Sequence, residues 1–142
     1  MADMDLHGTY IFHADPTAIW HALFDPKALK SCLPGAKAIE GSVQDGFTAE
    51  IEMNFGPMAI ALRGAVHVAE MTPFRSVRLK GQGRGLADIT LERRGGQTLL
   101  SYHMSIHVGG RFGRLGDGVV TNFAKSTLNT FFSELDKLVV DA

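Results

Sequence analysis

The sequence predicts an α+β domain. A curved antiparallel sheet of about seven strands wraps a long C-terminal helix, and two short helices follow the first strand. Three observations predict it. Across most of residues 36–108 apolar and polar side chains alternate with a period of two, the mark of strands with one buried face. Two Asp-Pro pairs, Asp15-Pro16 and Asp25-Pro26, precede short apolar runs; Asp caps a helix and Pro is preset for its first turn. From about Arg111 to Val140 apolar residues recur at three-and-four spacing, which gives a helix one broad buried face.

Taken in order, Met4, Leu6, Gly8, Tyr10 and Phe12 alternate with Asp5, His7, Thr9 and Ile11, a half-buried first strand. The first short helix carries Ile19, Trp20, Leu23 and Phe24 on one side. The second runs through Leu29 to Leu33, and Pro34-Gly35 ends it. This pair is expected to form a compact flap, not part of the core. Ala36 to Ile39 reads as a short strand and Gly41 to Asp45 as a turn. Phe47, Ala49, Ile51, Met53 and Phe55 then point one way, with Glu50, Glu52 and Asn54 opposite. After a Gly56-Pro57 turn the alternation resumes at Met58, Ile60, Leu62, Gly64, Val66 and Val68. Thr72-Pro73 breaks the chain before Val77, Leu79 and Gly81. A glycine-rich bend over 81–85 leads to Ala87, Ile89 and Leu91. Gly95-Gly96 is a two-residue hairpin turn, and Thr98, Leu100, Tyr102, Met104, Ile106 and Val108 complete the sheet.

Strands joined by short turns are antiparallel, with one apolar and one wet face. Only the long helix is large enough to cover the apolar one. Its stripe is Phe112, Leu115, Val119, Val120, Phe123, Leu128, Phe131, Leu135 and Leu138, interrupted by the small residues Gly116, Ala124 and Thr127. Small side chains under a curved sheet leave volume unfilled, and a ligand is expected there. Gly109, Gly110, Gly113, Gly116 and Gly118 crowd the start of this helix. Each glycine inside a helix costs roughly 1 kcal/mol against alanine. Close approach to the sheet is expected at Gly116 and mobility at Gly109-Gly110.

At 142 residues the chain is expected to be one domain, residues 1–142. Its hydrophobic fraction of 45% and charged fraction of 20% are those of an ordinary soluble globule. A net charge of -1 gives no reason to expect nucleic acid as a partner. The single cysteine, Cys32, leaves no intramolecular disulfide and suits a reducing cytoplasm, the expected location. Met1 to Leu6 carries two aspartates and no apolar core, so no signal peptide is expected. No apolar run approaches the roughly 18 residues of a membrane span.

The order and punctuation of these elements resemble the carbon monoxide dehydrogenase G-subunit family, within the START-like (SRPBCC) helix-grip superfamily. The residues that carry the resemblance begin with Leu6-His7-Gly8, Ile19-Trp20, Leu23, Asp25-Pro26, Leu29 and Cys32-Leu33-Pro34-Gly35. Gly56-Pro57 between two strands is the next match. The last runs from Gly95-Gly96 through Thr98, Leu100, Tyr102 and Val108-Gly109-Gly110 to Leu115-Gly116 and Phe131-Phe132. The resemblance implies a non-catalytic accessory protein of a molybdenum hydroxylase, needing no cofactor of its own. It also implies an apolar cavity between sheet and helix that takes lipids, sterols, polyketides or other hydrophobic molecules; a quinone or another isoprenoid would suit both such a pocket and a redox partner. Family members often continue into a membrane-associating tail. That continuation is not seen before Ala142, so any membrane contact here is expected to be peripheral, at the inner membrane face.

The expected lining of that cavity is Met53, Phe55, Ile60, Leu62, Leu79, Ile89, Tyr102, Met104, Leu115, Val119 and Phe123. Burial of an apolar molecule there supplies affinity at about 25 cal/mol per Å², and the Tyr102 phenol is the polar handle. A cyclase- or aromatase-like enzyme acting on a polyketide is the alternative. It needs acid-base groups on the inner phase, where the sequence offers Tyr102 and Thr98. His7, His67, His103 and His107 fall on the outer phase; His103 and His107 stand about 13 Å apart along a strand, too far to share one metal ion. Cys32 has no histidine at a motif spacing and reads as a buried structural thiol. Glu50, Glu52 and Asp88 lie on wet phases. The 81–85 bend lacks the following helix that a phosphate loop requires. Arg78, Lys80 and Arg84, with Arg75, Arg111 and Arg114, form either a solvated face or a docking surface for an acidic partner or anionic membrane.

Overall fold

The computed structural model describes residues 2–55, 57–81, 85–108 and 117–140. Strand β1 (Ala2–Phe12) is followed by helices α1 (Pro16–Leu23) and α2 (Pro26–Cys32). Six more strands follow: β2 (Ala36–Ser42), β3 (Gly46–Phe55), β4 (Met58–Thr72), β5 (Ser76–Gly81), β6 (Leu86–Arg94) and β7 (Gln97–Val108). Helix α3 (Asp117–Val140) comes last. The strands form one curved antiparallel sheet in the order β1-β7-β6-β5-β4-β3-β2. This is the expected helix-grip architecture.

Local chemistry explains the boundaries. The Asp15 carboxylate accepts hydrogen bonds from the Thr17 and Ala18 amides at 2.8 and 3.2 Å, and Asp25 accepts one from Lys27 at 3.0 Å. Each satisfies amides that the first helical turn leaves open. Gly35, at φ 81°, ends the α2 segment where a Cβ would sit on the Glu52 carbonyl oxygen, so only glycine fits. Arg94 pairs with Gln97 around Gly95 (φ 64°), the two-residue turn foreseen.

The β4–β5 connection is less comfortable. The Arg75 amide donates to the Thr72 carbonyl at 3.0 Å, with Pro73 second in the turn and Phe74 third at φ 67°. That third position calls for glycine. A bulky residue held there costs on the order of 1 kcal/mol or more.

The core lies where β1, β6 and β7 meet α1, α2 and the second half of α3. Leu6, Phe12, Ile19, Leu100, Phe132 and Leu135 are fully buried in it. Phe12 and Phe132 meet edge to face at 5.9 Å between ring centres, and Tyr10 packs on both. The short helices are therefore core, not a flap: Ile19, Trp20, Ala22, Ala28 and Cys32 are all buried, and both helices pack on α3. Burial also holds the Cys32 thiol above its ordinary pKa, so it stays protonated and unreactive, a structural thiol as the sequence suggested.

Three other expectations change. β2 extends to Ser42, whose hydroxyl accepts from the Asp45 amide at 3.0 Å in the turn. β4 continues to Thr72 through a bulge between Val68 and Glu70, which shifts the alternation by one residue. On α3 the stripe facing the core is Val120, Ala124, Leu128, Phe131, Phe132 and Leu135, whereas Val119 is 52% and Leu138 43% exposed. Val120 is buried at 8% exposure, so the helix is set with Val120, not Val119, turned towards the packed side. Phe112, Leu115, Gly116 and the other glycines of 109–113 lie outside the described residues.

Candidate ligand-binding face

The period-two pattern of each strand, combined with the register, assembles the expected lining on one face. Met53 of β3 stands opposite Ile60 of β4, and Ile51 opposite Leu62. Val68 faces Leu79, Leu79 faces Ala87, and Ala87 faces Met104. Ile89 stands between Val77 and Tyr102, and Tyr102 is opposite Gly8. Seven of the expected residues, Met53, Ile60, Leu62, Leu79, Ile89, Tyr102 and Met104, thus share the inner face. Phe123 is half-buried on α3. Val119, on the same helix, is 52% exposed. Leu115 and the side chain of Phe55 lie outside the described residues.

Coverage of this face is uneven. α3 makes its main contacts with β1, α1 and α2. On the β3–β5 side, Ile51, Met53, Leu62, Val68 and Leu79 are only half-buried, and Val66 is 38% exposed. Apolar side chains on the concave side of a sheet gain about 25 cal/mol per Å² from any further burial. Here much of that gain is unrealised.

Tyr102 sits at the border between the packed and open parts. It is buried, and a Cβ on Gly8 would approach its phenol oxygen to 2.7 Å and its Cζ to 2.9 Å. Gly8 is thus the floor on which the ring lies, and Phe132 packs on it at 5.8 Å. Burial raises the phenol above its ordinary pKa, so it remains a neutral hydrogen-bond donor. Among the described residues its oxygen has no hydrogen-bond partner, yet it is not sealed from solvent. Thr98, the other polar group foreseen on this face, is fully buried and donates to the Ala14 carbonyl at 2.7 Å. Its hydroxyl is therefore engaged. Tyr10 is a second inner phenol; in the alternation of β1 it registers only as an apolar ring.

Polar chemistry gathers on the outer face instead. Register places Glu70, Arg78, Asp88, His103 and His7 side by side across five strands. Arg78 donates twice to Asp88, at 2.8 and 3.2 Å, and His103 bonds to Asp5. Arg78 is therefore neutralised by its neighbour, and the cationic surface expected around Arg78 and Lys80 loses its centre. Arg84, Arg111 and Arg114 lie outside the described residues. A shallow groove of about 540 Å³ also opens on this side, over Ala38, Glu40, Thr48, Glu50, Arg63 and Ala65.

The Asp88 carboxyl is held below its usual pKa by the hydrogen bond from Arg78. A depressed acid stabilises the fold above its unfolded pKa and loses that contribution as pH falls through the folded value. Asp88→Asn should therefore melt lower than wild type near neutral pH. The gap should narrow below about pH 4 and close at more acidic pH, as thermal melts across that range would show.

The family model for the carbon monoxide dehydrogenase G subunit (CoxG) matches residues 8–140. The chain belongs to the CoxG family. No curated protein matches it in sequence. Among solved structures, a conserved protein from Geobacillus kaustophilus is similar at a TM-score of 0.86 and 21% identity, covering 97% of this chain and 96% of that one. TTHA0849 from Thermus thermophilus is similar at 0.72 and 12%, covering 96% and 97%. Ara h 8.0201 is similar at 0.71 and 11%, covering 99% and 100%. At such identities the likeness shows the fold alone. In this CoxG chain no described helix is long and apolar enough to cross a membrane.

Proposed function

We propose that this CoxG-family protein is a non-catalytic accessory of a carbon monoxide dehydrogenase-type molybdenum hydroxylase. It holds a neutral hydrophobic molecule between the sheet and α3 and thereby assists assembly of the enzyme or its linkage to the membrane. The family assignment supports the accessory role. The observation that carries ligand binding is the half-buried apolar surface of β3–β5, bordered by a phenol that no described protein group engages. Met53, Ile60, Leu62, Leu79, Ile89, Tyr102, Met104 and Phe123 then contribute the lining.

The chemistry of the face narrows the ligand. Setting aside terminal Arg93, the polar side chains that the strands place on this face among the described residues are Tyr10, Thr98 and Tyr102. An ionised headgroup buried there would meet no counter-charge from them, at a cost of several kcal/mol. A neutral molecule with a hydrogen-bond acceptor, such as a quinone carbonyl, fits the Tyr102 donor.

Organic extraction of the purified protein, followed by mass spectrometry, is expected to recover an apolar neutral molecule. Tyr102→Phe should weaken its rebinding by roughly tenfold, the worth of one hydrogen bond, while leaving the fold intact. Recovery of a polar or charged ligand would overturn the reading, as would unchanged binding in the variant.

A further inference from the structure

We infer that the β4–β5 hairpin tip docks on an anionic lipid bilayer, and that this holds whether or not the interior carries a ligand. Three observations converge there. Met71 is 45% and Phe74 40% exposed, and Pro73 between them is exposed as well. Isolated exposed apolar side chains need no explanation, but three within four residues at a hairpin tip form a wedge.

Phe74 also occupies its place against backbone preference, at a positive φ where glycine is favoured. Its ring meets Trp20 and His21 of α1 at 6.0 and 5.7 Å and is propped outward by them, not enclosed. A strained position that presents an apolar ring to water points to a use for that ring outside the fold.

The charge around the wedge selects the partner. The Leu91 amide donates to the Arg75 carbonyl at 2.7 Å, so the outgoing end of β6 lies beside the tip and brings Arg93 and Arg94 with it. Arg94 is paired with Glu92, while Arg75 and Arg93 are exposed and make no ion pair among the described residues. Apolar side chains flanked by two unpaired arginines match the boundary between acyl chains and anionic headgroups. An acidic protein would satisfy the arginines, but it would give the protruding Phe74 and Met71 no medium to enter.

Trp20 is the sole tryptophan and lies directly behind Phe74, which makes it a local reporter. The full chain is mixed with vesicles of phosphatidylglycerol and phosphatidylcholine, or of phosphatidylcholine alone, and binding is read by flotation. Brominated acyl chains then report through quenching of Trp20. Wild type should bind the anionic vesicles, more weakly at high salt, with Trp20 quenched. Arg75→Glu with Arg93→Glu should lower binding at least about tenfold. Phe74→Gly should lower it about fivefold or more without lowering the melting temperature, because glycine accepts the positive φ.

The inference fails if wild type ignores anionic vesicles, including the case in which it binds only an acidic protein. It fails too if vesicles bind without quenching Trp20, or if Phe74→Gly binds like wild type. Should that variant prove unstable, Met71→Ser, at an unstrained exposed position, must show the same loss.

Discussion

Phe132→Ala is expected to remove about 3–5 kcal/mol of stability, the range for truncating a large aromatic in a close-packed core. Phe132 is 2% exposed and is the ring on which Tyr10, Phe12, Tyr102 and Phe131 converge. Its loss would open a void where β1, β7 and α3 meet, and the surrounding rings cannot collapse into it without leaving their own neighbours. Equilibrium denaturation measures the effect. Val119→Ala on the same helix is the control: at 52% exposure it should shift stability by no more than about 0.5 kcal/mol. A Phe132→Ala loss below about 1 kcal/mol would mean that the core is centred elsewhere.

Asp136→Ala should cost about 2–4 kcal/mol through hydrogen bonds, not packing. This aspartate is buried on α3, yet it accepts from the His13 amide at 2.8 Å and from the His13 ring at 2.7 Å. Removing the carboxylate leaves a backbone N–H unpaired at the junction of β1 and α1. The histidine side chain is 62% exposed, so His13→Ala removes only the solvated half of the arrangement and should cost no more than about 1 kcal/mol. Comparing the two by denaturation separates the contributions. Equal losses would show that the ring–carboxylate hydrogen bond, and not the buried amide bond, ties the last helix to the first strand.

The fold was largely legible because each strand between Phe47 and Val108 announces itself by alternation and each early helix by Asp-Pro. What escaped depends on partners distant in sequence. Ala69 has too small a side chain to reveal the bulge beside it, so the alternation alone ends β4 early. An eight-residue helix has barely two turns, and whether Ile19 faces core or solvent is decided by α3, a hundred residues away. Val119 and Val120 are equally apolar, and only the set of the helix on the sheet chooses between them.

The candidate site divides in the same way. The inner-face residues were recoverable because alternation is a local property. The fate of Arg78 was not: its neutralisation needs the β5–β6 register that brings Asp88 opposite. The anchoring role of Asp136 was equally hidden, since a lone acid near a helix end reads as ordinary surface.

The pairing of β1 with β7 also governs how the polypeptide can be made. Gly8 aligns with Tyr102, a residue synthesised ninety-four positions later. On the ribosome the opening strand therefore waits without a sheet partner until Gln97–Val108 has emerged, and such non-local closure slows folding. During that interval its unpaired edge is open to neighbouring nascent chains. Asp5 and His7 on the strand's wet side supply the polarity that discourages such encounters.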